Sequence, residues 1–323
     1  MPELPEVQTT VNGLTKHIIG LSIKDVWTNY NSPYFKGSKT IKDPAYFKHF
    51  KNEILNQKII GIERRAKNIL INLTGNKTIL VHMKMTGHLL YGLYKFIPKN
   101  KKGPWEPIEP ESLKDPYNRR IRFVITFNNG KYLALSDTRK FAKVAVINTD
   151  IIHESDHLNN LGPEPLKKEF TFEKFIERLK LRPNMKIKQI LTDQTIISGI
   201  GNIYADESLW CTNIHPLEKV RDIPVNNFKD LFKAIKLTLS SGIDFGGDSM
   251  SDYRNVLGNK GNFQEQHHAY QKTGEKCEKR GCKGTIVRIV VGGRATHYCD
   301  KHQKLLVSFT VLSEDKLRRE SRI

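Results

Sequence analysis

Residues 161–166 read LGPEPL, and two prolines beside a glycine can continue neither a helix nor a strand. The apolar period differs on the two sides of this break. Before it, Ile79, Val81, Met83 and Met85 alternate with Leu80, His82 and Lys84, the pattern of a strand with unequal faces. Arg122 to Phe127 and Lys131 to Ser136 flank Asn129-Gly130, a hairpin signal whose two turn positions both require positive φ. Phe141 to Ile147 continues the extended pattern. One helix is expected from Glu6 into the His17 region, ending near Gly20, and residues 97–117, rich in Lys, Pro and Glu, read as a long surface loop. After the break the period is helical. Thr171 can cap a helix whose Phe172, Phe175, Ile176 and Leu179 form one stripe. Phe228, Leu231, Phe232 and Ile235 repeat the stripe, with Gly242 as a stop, and two further helices fall around Ile187 to Leu191 and from Asn202. From Gly246 the chain becomes rich in Gly, Asn and Ser and reads as a mobile loop. Segregated strands and helices of this kind make an α+β, multidomain chain.

Its 323 residues carry 53 Lys+Arg against 34 Asp+Glu, a formal charge of +19. Cations spread over a folded surface suit a polyanion, most often nucleic acid, because each neutralised phosphate releases counterions. A lysine-rich surface that serves only solubility is the competing reading. The length supports two or three domains. No run of about 18 apolar residues is present, which argues against a membrane span, and the first residues lack the basic and apolar regions of a secretory signal. Four cysteines are too few for a disulfide scaffold. Three of them lie in the last fifth of the chain, which points to a metal in a reducing, cytoplasmic compartment.

Those three cysteines define a module. Four residues separate Cys277 from Cys282, and two separate Cys299 from His302. Between the pairs, Thr285 to Val291, Gly292-Gly293 and Arg294 to Tyr298 read as a β-hairpin with a two-residue glycine turn. Two close ligand pairs at its base suit one tetrahedral Zn2+. His297 competes with His302 as the fourth ligand, but its place in the strand aims it along the hairpin, so His302 is preferred. Cys211 stands alone and reads as a small core residue. Zinc would hold the hairpin rigid and present Arg294 just past the turn, where a cation can reach phosphate.

The opening, Met1-Pro2-Glu3-Leu4-Pro5-Glu6, is unusual. A small second residue permits removal of Met1, leaving Pro2 with a secondary amine whose reference pKa is about 8. Such an amine can attack an aldehyde-like carbon and form an iminium, with Glu3 beside it to move protons. The alternative is a proline in a helical first turn with acids favourable to the helix dipole.

Several motifs then converge. PELPEV at 2–7, Arg64-Arg65-Ala66-Lys67, HMKMTG at 82–87, DTRKF at 137–141, LGPEPL at 161–166, GIGNIYADE at 199–207 and the terminal Cys/His hairpin with GRAT at 293–296 occur in one order over nearly the whole chain. Together they resemble the formamidopyrimidine-DNA glycosylase family. Leu4, where the related endonuclease VIII branch usually has Gly, favours the formamidopyrimidine branch. The resemblance implies an N-terminal β-sandwich with flanking helices (1–160), a helix–two-turns–helix DNA-binding domain (161–250), a lesion loop and zinc-finger hairpin (251–304) and a C-terminal tail (305–323). It implies a monomeric bifunctional glycosylase and AP lyase acting on damaged double-stranded DNA, with one structural Zn2+ and no nucleotide cofactor. Oxidised purines would be excised and the strand cut by β,δ-elimination.

Carried over, Pro2 is the nucleophile at C1′ and Glu3 the acid that assists sugar opening and base departure. Lys67 supplies protons and phosphate contact; without the family it reads as an ordinary exposed lysine at a strand start. Arg294 grips phosphate and assists the second elimination. Met85, Arg139 and Phe141 resemble the trio that fills the gap left by an everted base, although Met85 could equally be core, sharing a face with Met83. Arg120, Lys188 and Asn202 match DNA-contacting positions, Asn202 also as a helix cap. The loop at 246–264 is the candidate cover for the damaged base. The family finger usually has two residues between its first cysteines and Cys as its last ligand, so the four-residue gap and His302 are departures. The same chemistry on oxidised pyrimidines, and a non-catalytic DNA-binding scaffold, are the rival readings.

Overall fold

A computed structural model describes residues 1–30, 32–100 and 103–306. The chain divides into two compact units, residues 1–164 with 239–266, and residues 165–238 with 267 onward.

In the first unit, α1 (Leu4–Ile18) has Pro5 and Glu6 in its first turn and Lys16 and His17 in its last, charges that complement the helix dipole. Its Val7, Val11, Leu14 and Ile18 form one buried stripe. Then follow β1 (Ile23–Thr28), α2 (Pro44–Ile54), β2 (Ile59–Arg65), β3 (Asn68–Leu73), β4 (Lys77–His82), β5 (His88–Phe96), β6 (Trp105–Glu109), β7 (Ile121–Phe127), β8 (Tyr132–Ser136) and β9 (Lys143–Asn148). They build a five-stranded sheet in the order β1-β7-β8-β5-β6 and a four-stranded sheet in the order β2-β3-β4-β9. Ile69, Ile71, Ile79, Val81 and Val144 of one sheet share a core with Leu89, Tyr91, Phe123, Ile125, Leu133 and Leu135 of the other and with the α1 stripe. This is the expected sandwich. On the outer face of the smaller sheet, Leu70 and Leu80 are covered by Ile152 and Leu158, which is why alternate positions of β4 are apolar on both sides.

Several expectations need correction. The strand ends at His82, so Met83 is buried while Met85 is 41 % exposed; the two share no face. The Met83–Gly87 turn is closed by the Gly87 N–H on the Met83 carbonyl, with Lys84 at φ +57. A Cβ at Gly87 would come within 2.3 Å of that carbonyl oxygen, so the turn requires glycine. At the β7–β8 hairpin Gly130 has positive φ but Asn129 does not. The Asn129 carboxamide instead accepts the Lys131 N–H, and the loop has three residues closed by glycine.

Residues 97–117 are not simply a surface loop. Apart from 101–102, which lie outside the described residues, they contain β6, whose Trp105 packs on Trp27, Phe96 and Tyr132. The segment expected to be a mobile loop from Gly246 is anchored: Val256 lies in the main core, Tyr253 is buried, and Arg254 is 1 % exposed and pairs with Asp115. Those contacts carry residues 239–266 into the first unit, across the division expected at 250. The tail expected at 305–323 lies, from residue 307, outside the described residues.

The second unit holds α3 (Phe172–Lys180), α4 (Ile187–Thr192) and α5 (Asn202–Cys211), and the boundary between units falls within α6 (Val225–Asp244), which runs past Gly242. Thr171 caps α3 by accepting the Lys174 N–H. Phe170, Phe175, Phe228 and Phe232 pack ring against ring. Strands β10 (Ile286–Val291) and β11 (Arg294–Cys299) form the hairpin. Gly292 and Gly293 both have positive φ, as a two-residue turn requires. Cys211 is exposed, not core, because it ends α5 on the solvent side. No helix among the described residues is long and apolar enough to cross a membrane.

Candidate active site and metal centre

In the first unit, Pro2 and Glu3 are buried beneath the exposed Met1. Pro2 precedes the helix; the proline of the first turn is Pro5. The Glu6 carboxylate organises this end. It accepts the Glu3 N–H at 2.7 Å and the Asp248 N–H at 2.8 Å, and the Tyr253 hydroxyl donates to the Glu6 carbonyl at 3.0 Å. Residues 248–253 thereby fix the first turn of α1 and with it the backbone on which Pro2 and Glu3 stand.

Lys67 sits in the two-residue turn between β2 and β3 and is only 4 % exposed, unlike an ordinary surface lysine. The preceding Ala66 has φ +53, a costly conformation for a side chain with a Cβ. Its N–H donates to Glu164 Oε1 at 2.6 Å. The same carboxylate pairs with Arg64 at 2.6 Å and Arg65 at 3.5 Å. Arg65 also donates to the Leu161 and Gly162 carbonyls, and Arg64 to the Gln8 carboxamide on α1. The LGPEPL run is thus more than a linker: its buried glutamate neutralises two arginines and holds the Lys67 turn.

His82 lies nearby. Burial, and then the like charges of Lys84, Lys67 and Lys143, push its imidazole down to about 3, so it is neutral near pH 7 and free to accept the Lys84 N–H at Nδ1. Met85, Arg120, Arg139 and Phe141 are all exposed. The Arg139 guanidinium stacks on the Phe141 ring, 4.7 Å from its centroid. The backbone below them is tied by Asp137, which is fully buried. It accepts the Tyr30 hydroxyl at 2.7 Å, the Thr86 hydroxyl at 2.5 Å and the Ala142 N–H at 2.9 Å. Burial, reinforced by the Asp137 charge, drives the Tyr30 phenol far above its ordinary range, so it donates throughout.

In the second unit two residues expected at phosphate make contacts within the protein. Lys188 is 1 % exposed. Its ammonium donates to the Asn202 carbonyl at 2.7 Å and to Asp206 at 2.6 Å, so it braces α4 against α5 and is turned away from solvent. Asn202 is the first residue of α5, with Gly201 at the cap position and no side-chain cap; its carboxamide donates to the Ala295 carbonyl at 2.7 Å. That bond ties the start of α5 to the hairpin beside Arg294, which is exposed just past the turn. Asp206 also accepts the His297 N–H and faces its ring. Glu207 accepts the N–H groups of His268, Ala269 and Tyr270. Of this acidic pair within GIGNIYADE, which sequence reasoning missed, Asp206 holds the hairpin and Glu207 holds the segment at 268–270 against α5; two adjacent acids in a largely apolar helix were the available signal.

Cys277, Cys282, Cys299 and His302 come together with all ligand atoms within 4.8 Å of one another. Cys277 Sγ is 3.4 Å from His302 Nδ1, and the Cys282 and Cys299 sulfurs are 3.6 Å apart. A tetrahedron with ligand bonds of about 2.3 Å has edges of about 3.8 Å, shorter where a nitrogen replaces sulfur, so the donor set could hold a metal ion. His302 Nε2 faces the Trp210 carbonyl at 3.3 Å, an outer contact that leaves Nδ1 to coordinate. The four-residue gap between the first cysteines is absorbed without loss of the cluster. His297, engaged by Asp206, is not part of it.

Residues 1–144 match the family model of the formamidopyrimidine-DNA glycosylase N-terminal domain, and residues 161–254 that of the formamidopyrimidine-DNA glycosylase H2TH domain. The chain is 34 % identical over 302 residues to the formamidopyrimidine-DNA glycosylase of Herpetosiphon aurantiacus, covering 93 % of this chain and 98 % of that one. It is 36 % identical over 304 residues to that of Halalkalibacterium halodurans, covering 94 % and 100 %. A crystal structure of a Lactococcus lactis mutant of the enzyme, in complex with a Fapy-dG containing DNA, superimposes with a TM-score of 0.78 at 29 % identity over 94 % of this chain and 100 % of that one. These likenesses put the chain among the DNA glycosylases. Within that class, it belongs to the formamidopyrimidine-DNA glycosylase family.

Proposed function

We propose that this chain is a bifunctional glycosylase and AP lyase that excises oxidised purines, 8-oxoguanine and formamidopyrimidines, from duplex DNA. The observation that carries the reading is the seating of Pro2 and Glu3 on a helix start clamped by Glu6, in the same unit as a buried lysine on a braced turn. With Met1 removed, the Pro2 nitrogen attacks C1′. The N-glycosidic bond breaks as the base leaves with a proton, and Glu3 then protonates O4′, so that the C1′–O4′ bond breaks, the sugar ring opens and C1′ becomes doubly bonded to the Pro2 nitrogen. The resulting iminium acidifies the C2′ proton. Its loss breaks the C3′–O bond, and a second elimination breaks the C5′–O bond, leaving a one-nucleotide gap with phosphate ends. Lys67 relays protons and contacts phosphate, and Arg294 holds phosphate during the second elimination.

Met85, Arg139 and Phe141 fill the space of the everted base, apolar groups against the stack and the guanidinium toward the orphan partner. Arg120 and Asn202 bear on the DNA backbone. Lys188 acts through Asn202 and Asp206, not on phosphate directly. The Cys277, Cys282, Cys299 and His302 donors hold one Zn2+. Bound there, the ion crosslinks two ligand pairs and has no open position for substrate. The protein works as a monomer in a reducing cytoplasm, without a nucleotide cofactor. The test is excision from duplexes carrying 8-oxoguanine, formamidopyrimidine, thymine glycol or an abasic site, assayed side by side. Release of the two purine lesions well ahead of thymine glycol is expected; the reverse order would assign the chain to oxidised pyrimidines.

A further inference from the structure

We propose that Thr86 is a positioning residue that locks the two turns bearing Met85, Arg139 and Phe141 into one rigid wedge, with Asp137 as its buried partner. The inference rests on the gap-filling role assigned to that trio above.

Thr86 follows Met85 directly, and its single hydroxyl has two roles. It donates to Asp137 Oδ1 at 2.5 Å and accepts the Arg139 N–H at 3.0 Å. The turn that carries Met85 is thereby hydrogen-bonded to the backbone of the residue that carries the guanidinium. The other Asp137 oxygen accepts the Ala142 N–H at 2.9 Å, which closes the second turn just beyond Phe141. Lys140 lies between with φ +57, and its carbonyl is held by the Lys42 ammonium at 2.8 Å. From below, Tyr30 donates to the same Asp137 oxygen as Ala142. The backbone of both turns is therefore tied to buried groups at the Arg139 N–H, the Lys140 carbonyl and the Ala142 N–H. Those side chains make few contacts with the rest of the unit: Met85 and Phe141 are 41 % and 47 % exposed. A wedge must keep its shape while it displaces a base, and exposed side chains cannot supply that stiffness themselves.

The requirement exists only where a stack must be filled and an orphan base answered, so duplex and single-stranded substrates separate positioning from chemistry. The experiment compares Thr86→Val, which keeps the shape and removes the hydroxyl, with Thr86→Ser, which keeps the hydroxyl. Each is assayed on an 8-oxoguanine duplex with each of the four opposite bases and on a single strand bearing a preformed abasic site, with a thermal melt of each variant. Thr86→Val should lower duplex excision at least about tenfold, the range for a hydrogen bond to a buried charge. It should also flatten discrimination among opposite bases, while single-strand cleavage stays within about twofold; Thr86→Ser should restore both. Unchanged duplex excision and discrimination in a folded Thr86→Val protein overturns the inference. Equal losses on both substrates also overturn it, because they report a general structural role. Wild-type inactivity on every substrate overturns the functional reading itself and the wedge with it.

Discussion

Replacing Glu164 by Gln tests how the Lys67 turn is held. Glu164 is buried, with 4 % side-chain exposure, opposite Arg64 at 6 % and Arg65 at 23 %. Glutamine keeps the shape and one acceptor for the Ala66 N–H, but it removes the only carboxylate that these two guanidinium groups share in the described contacts. Stranding a buried cation typically costs about 3–5 kcal/mol. The residual carbonyl and the partial exposure of Arg65 reduce this, so a loss of about 2–4 kcal/mol is expected. Ala66 at φ +53 adds to it, because that conformation persists only while its surroundings impose it. Urea unfolding should show a lower midpoint at unchanged slope. Strand cleavage at a preformed abasic site should fall more than DNA binding, since the mutation loosens a turn that carries a proton-relaying group. A Glu164→Gln protein within about 0.5 kcal/mol of wild type and with undiminished cleavage would refute the reasoning.

Other outcomes follow from the same contacts. Asp206→Asn should destabilise by about 3–5 kcal/mol because it removes the countercharge of Lys188, itself 1 % exposed; adding Lys188→Met to that variant should recover most of the loss, and failure to recover would deny the pairing. Because His82 is depressed to about 3 against about 6.5 unfolded, its contribution is full above pH 6.5 and is lost as pH falls below that value. Stability should therefore drop by about 2 kcal/mol from pH 7 to pH 5 through this group, and His82→Gln should flatten that part of the profile in a pH series of melts. Metal analysis should find about one zinc per chain, and Cys299→Ser should lower both zinc content and DNA affinity; full affinity without metal would exclude a structural role. DNA affinity should fall steeply between about 50 and 200 mM salt, and a flat response would contradict phosphate-dominated binding.

The sequence made the modules legible where chemistry is local. The glycine turn, the two ligand pairs and the Thr171 cap depend on neighbours in sequence, and each forms as read. Periodicity also separated strands from helices, and so the sandwich from the helical part. What stayed hidden depends on distant partners. A carboxylate at 164 looks like part of a linker until Arg64 and Arg65 are brought to it. Lys67 and Lys188 look exposed by type, yet glutamate and aspartate partners some distance away in the chain allow both lysine regions to be buried. The Gly- and Asn-rich stretch after 246 looked mobile because its composition was read without Glu6, Asp115 and the core that receives Val256. The shared face of Met83 and Met85 fails for a subtler reason: alternation continues past the end of β4, but a turn that needs Gly87 reverses the chain and releases Met85 to solvent.

The most direct measurement is the site of covalent capture. Native chain is incubated with an 8-oxoguanine duplex in borohydride, digested, and the crosslinked peptide sequenced by mass spectrometry. Chain lacking Met1, with the reduced deoxyribose on the Pro2 nitrogen, is the predicted result. An adduct on Lys67 or another lysine, or strand cleavage by chain that retains Met1, would contradict the account.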